Sequence, residues 1–128
     1  VGKREYDLTD LYKIAQKRKE EIAREHPEVF AIEEIETDET PGVEYVVITL
    51  RAGGEVKGFE FVENASTFLT EAKAERYTDI LKKRQYLGIV VPGQARDHIM
   101  VLRSQFRDKE LINPEFFVYD EAGNINRV

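Results

Sequence analysis

The sequence predicts an α/β domain, a mixed sheet flanked by helices, and three observations carry that reading. Helical and strand periodicities succeed one another in the order helix, three strands, helix, strand, helix, strand. Strands separated by helices late in the chain imply crossover connections, and so a sheet with helices on both sides. Val43 to Arg51, the strongest strand, is mostly apolar on both faces, as a strand covered on two sides must be. A length of 128 residues, 41% apolar and 34% charged, allows one domain, residues 1–128, with a core of its own.

Each element follows from its local chemistry. Asp7 is an N-cap with Asp10 at the third helical position, a short variant of the capping box. Leu8, Leu11, Ala15 and Ile22, with Tyr12 beside them, then mark an amphipathic helix to about Glu25, ended by His26-Pro27. Val29 to Ile35 reads as a first strand, and Thr37 to Gly42 as a turn. In the second strand Glu44, Val46, Ile48 and Leu50 share one face, while Val43, Tyr45, Val47 and Thr49 share the other. Ala52-Gly53-Gly54 turns the chain back, so Glu55 to Glu63 pairs with it as a hairpin.

Ser66 and Thr67 are caps for a second helix, expected from about Thr67 to Arg84 and anchored by Phe68, Leu69, Ala72, Ile80 and Leu81. Tyr86 to Val91 is a short apolar strand closed by Pro92-Gly93. Ala95, Ile99, Leu102 and Phe106 recur at helical spacing and give a third helix to about Arg107, before Asn113-Pro114. Glu115 to Tyr119 is a last strand; Asp120 to Asn124 turns into a short tail, Ile125 to Val128.

Composition removes several classes of function. No apolar run approaches the ~20 residues that span a bilayer, so no membrane role is expected. With no cysteine, neither a disulfide framework nor a thiolate metal site exists, which is compatible with the expected cytoplasmic location. The start, Val1-Gly2-Lys3, lacks an initiator Met and a cleavable signal pattern, as in a processed or trimmed chain. A formal charge of −6 argues against a large nucleic-acid footprint. Lys82-Lys83-Arg84 is a local basic patch, or simply the solvated last turn of a helix.

The stretch Phe59 to Tyr77 holds the chemistry. A strand with the carboxylate Glu60 feeds a helix that carries Lys73 and Tyr77 four residues apart, hence on one face. Glu44 lies on the neighbouring strand, 16 residues earlier. This order of elements, with its acids at these places, resembles the PD-(D/E)XK nuclease superfamily, the restriction-endonuclease-like fold. The third strand and helix resemble a repair-associated branch reading E-x-K-x-S-x-x-D-F-x-x-D-x-K-x-x-x-Y, with Glu60, Phe68, Glu71, Lys73 and Tyr77 in step. Tyr86 to Pro92 and Val118 to Gly123 suit the same branch, so the resemblance spans nearly the whole chain.

The resemblance implies an αβββαβ core with an added C-terminal helix and strand. It also implies a metal-dependent phosphodiesterase site in which Glu44 and Glu60 hold Mg²⁺, a hard ion that prefers oxygen ligands. Such an ion lowers the pKa of a bound water and offsets charge on the phosphoryl group. The family's motif lysine falls at Val62, however; Asn64 replaces its Ser and Thr67 its Asp. A missing cationic stabiliser of that kind costs roughly 3–4 kcal/mol in the transition state. Lys73 is the group that could stand in, from the adjoining helix.

Ordinary explanations stand beside each of these. Lys73 can pair with Glu71, Glu75 or a strand carboxylate, and Glu60 can be exposed at an edge or paired with a Lys or Arg. Glu55-Val56-Lys57 spells the acid-x-Lys motif literally, but at a hairpin tip, where a catalytic lysine would be badly held. Glu20, Glu21 and Glu25 could add a third carboxylate. His26 and His98 lack ligand spacing, and Gly53-Gly54 precedes no helix, unlike a phosphate loop. Phe59, Phe61, Phe116, Phe117 and Tyr119 read as core or sheet-face residues. Two functions follow as expectations. One is an impaired or inactive nuclease-like domain with weak DNA contact; the other is a non-enzymatic module, on the same fold, that binds protein or nucleic acid.

Overall fold

In the computed structural model, which describes residues 6–37 and 44–128, the first described element is a capped helix, α1, Leu8–Glu25. Asp7 accepts from the Asp10 amide at 2.9 Å and the Asp7 amide donates to the Asp10 carboxylate at 3.3 Å, closing the capping box. The buried stripe of α1 is Leu11, Ile14, Ala15, Arg18 and Ile22, the spacing of one helical face. Three antiparallel strands follow: β1 (Phe30–Thr37), β2 (Glu44–Ala52) and β3 (Glu55–Val62). Beyond Thr37, the turn expected to Gly42 lies outside the described residues, as does Val43. Gly53 and Gly54 close the hairpin at φ of +59° and +81°, a region that a side chain disfavours.

The second helix, α2, spans Glu71–Lys82 and starts later than its sequence suggests. The Thr67 hydroxyl is committed elsewhere: it accepts from the Asn64 amide at 3.0 Å and donates to the Asn64 carbonyl at 3.1 Å. Thr70 caps the helix instead, accepting from the Lys73 amide at 3.2 Å. Phe68 is buried although it precedes the helix, and Leu69 is exposed. After β4 (Tyr86–Pro92), a single 3₁₀ turn leads into α3 (Arg96–Asp108), then β5 (Glu115–Tyr119). The expected tail is a sixth strand, β6 (Ile125–Arg127), antiparallel to β5.

The fold is thus α/β, with three helices and a six-stranded mixed sheet, ordered β1-β2-β3-β4-β5-β6, among the described residues. β3, β4 and β5 are parallel. Both crossovers advance across the sheet in the same direction, so the right-handed rule sends α2 and α3 to the same face. There Phe61, Phe68, Tyr77, Ile89, Ile99, Leu102, Phe106 and Phe116 form one core. α1 covers the opposite face, over Val46, Ile48, Val62, Val90, Phe117 and Tyr119. No described helix is long and apolar enough to cross a membrane.

Candidate functional site

β3 and the residue that follows it carry an acid to each side of the sheet. Glu60 shares a face with Val62 and points at α1, whereas Glu63, just past the strand end, points at α2. Each meets a cation from the helix on its own side.

On the α1 side, Arg18 sits on the apolar stripe and is almost fully buried. Its Nε and Nη2 donate to the two oxygens of Glu60 at 2.8 and 2.7 Å, a bidentate pair. The Tyr86 hydroxyl adds a third bond to Glu60 at 2.8 Å. Arg18 Nη1 reaches Glu21 at 3.3 Å, and its guanidinium stacks 4.1 Å from the centre of the Phe117 ring. Gly88 makes the room: a β-carbon there would stand 2.7 Å from Glu60 Cγ and 2.8 Å from the Tyr86 hydroxyl. Burial alone would pull the Arg18 guanidinium down, but the hydrogen bonds and charge of Glu60 outweigh it and hold it above its ordinary value. Burial pushes the Tyr86 phenol up, and the Glu60 charge adds to this, so it stays a neutral donor. A cleft of about 210 Å³ opens beside this group, walled by Ile22, Val29 and Leu50.

On the α2 side, Lys73 Nζ donates to Glu63, whose other oxygen accepts from the Tyr77 hydroxyl. The ammonium also lies 3.1 Å from the centre of the Tyr45 ring. Tyr77 packs edge-on against Phe61, with ring centres 5.2 Å apart. Lys73 and Glu63 are both shut off from solvent.

The three residues expected to form a catalytic set are therefore not brought together. Lys73 is separated from Glu60 by the sheet and pairs with Glu63, the carboxylate just past the end of β3, close to one of the ordinary roles open to it. Glu44 and Glu60 share a face, but the register sets Ile48, not Glu44, opposite Glu60. Glu44 lies four residues further along, about 13 Å at the strand's rise. The residues flanking Glu60 on its face are Ile48 and Val62, both buried. Mg²⁺ does not fit this donor set: one carboxylate is filled by a guanidinium and a phenol, and the other is out of reach. Among the described residues no three acids or histidines converge. At the hairpin tip Lys57 and Glu55 pair in the open at 3.0 Å. His26 is exposed beside Glu28, and His98 leans on Phe68.

Arg18 is the residue that sequence reading passed over. Its signal was its place on the α1 stripe between Ala15 and Ile22, where a charge must find a buried partner. No known protein family, curated protein or solved structure matches the chain, so its site is read from its own geometry.

Proposed function

We propose that this chain is a non-enzymatic binding module built on a restriction-endonuclease-like frame. The frame reading draws on the antiparallel β1–β2–β3 meander, the parallel β4, and the first two helices on opposite faces. One observation carries the functional reading: the Arg18 guanidinium holds both oxygens of the Glu60 carboxylate, the atoms a metal would need. An internal cation replaces an external one, so the acid is a strut and not a ligand. Hydrolysis of a phosphodiester would then lack both its ion and the means to activate water. The acidic balance, −6, favours protein over DNA as the partner.

The test is calorimetric titration of Mg²⁺ and Mn²⁺ into the wild type and Glu60→Gln, paired with a cleavage assay on single- and double-stranded DNA. The expected result is no Glu60-dependent heat at millimolar metal and no cleavage. Metal binding that disappears in Glu60→Gln would overturn the proposal.

A further inference from the structure

We infer that the outer edge of β1 pairs with β1 of a second copy of this chain, joining two six-stranded sheets into one. The inference rests on the reading of the domain as a binding module, and it names the partner. Among the described residues no backbone hydrogen bond reaches that edge, which is eight residues long, while the opposite edge, β6, has only three. Long open edges usually carry charges that repel a further strand. β1 has three glutamates, but two are already engaged within the chain. Glu33 accepts from Tyr12, Gln16 and Lys19; Glu36 accepts from Arg76 on both oxygens. Besides Glu34 and Thr37, what the edge presents is apolar: Phe30 is 69% exposed, Ile35 50% and Ile32 42%.

The choice of a second copy over an unrelated strand comes from charge and register. A two-fold axis normal to the sheet keeps each side chain on its own face, so one residue of β1 must lie opposite itself. Centred on Glu33 or Glu34, the pairing sets a carboxylate against its own copy. Centred on Ile35, it sets Glu34 against Glu36. Centred on Ala31, it pairs few strand residues and brings Glu28 against Glu34. Centred on Ile32, the strand residues set no acid against another; just outside them Glu28 meets Glu36, whose carboxylate Arg76 already holds on both oxygens. Phe30 then meets Glu34 of the second copy, Ala31 meets Glu33, and Val29 meets Ile35. On the α2 side the two Ile32 side chains touch, with each Phe30 diagonal to them, a cross-strand apolar cluster. The strand is self-complementary in that register.

The absence of cysteine makes the register directly testable in the full chain. Directly opposed residues have Cα atoms about 4.5–5.5 Å apart, within the reach of a disulfide. Ile32→Cys is therefore expected to give a covalent dimer on mild oxidation. Glu34→Cys should not, since its two copies would be offset by four residues, about 13 Å. Sedimentation across a concentration series should find reversible wild-type dimers, and Ile32→Glu, at an exposed position, should weaken association at least about tenfold by setting like charges together. A wild type that stays monomeric, dimers that survive Ile32→Glu, or cross-linking of Glu34→Cys as readily as Ile32→Cys would overturn the inference. A monomer that binds only an extended peptide would overturn it too. None of these outcomes touches the metal titration, which tests the broader reading separately.

Discussion

A carboxylate in the middle of a covered sheet keeps its charge only if a cation or several donors replace the lost water. Glu60 has both, from Arg18 and Tyr86, and Gly88 leaves the space in which they meet. The sequence exposed half of this. Glu60 stood out, and pairing with a Lys or Arg was one of its ordinary roles, but the partner lies 42 residues earlier on another element. Charge identity alone cannot select one of the chain's 19 basic residues; only its position on a buried stripe could. Removing one member of such a pair leaves the other buried and uncompensated. Arg18→Ala is expected to cost about 3–5 kcal/mol in urea unfolding. The double change Arg18→Met with Glu60→Leu should cost less than Arg18→Ala alone, because it removes both charges and fills the space. Equal losses in the two would mean that the pair is solvated.

At the scale of elements, patterns set by a single period were legible and those set by competing side chains were not. The limits of α1 follow from Asp7, Asp10 and His26-Pro27, and the hairpin of β2 and β3 from Gly53-Gly54. The start of α2 did not, because three hydroxyls within five residues could each cap a helix. Asn64 decides among them by capturing Thr67 in a turn, which leaves the role to Thr70. β6 escaped notice because three polar-flanked residues carry no period; it exists because β5 offers an edge. Thr70→Ala should therefore lower stability by about 1 kcal/mol, read from the urea midpoint. An unchanged midpoint would return the cap to an earlier residue.

Across the whole molecule, α1 is held to β1 by charge as well as by packing. Hydrogen bonding from Lys19, then from Tyr12, holds the Glu33 carboxyl down at about 2 against an ordinary 4.5. A carboxyl depressed in the folded state adds stability that is complete above its unfolded pKa and is lost as pH falls through the folded one. This contribution should fade between about pH 4.5 and 2. Urea midpoints over that range should fall more steeply for the wild type than for Glu33→Gln. Parallel slopes would mean that the bonds around Glu33 do not distinguish folded from unfolded chain.

Glu60 in β3 and Glu63 just beyond it have a last consequence. Residues 60 and 63 differ by an odd number, so they face opposite ways, and each fits a cation available only on its own side. Slide the strand by one position and Glu60 would turn toward Tyr45 and Tyr77 on the α2 side, Phe61 would turn away from them, and Glu63 would lose Lys73. Like a key cut along both edges, β3 enters the sheet in one alignment and jams in the next.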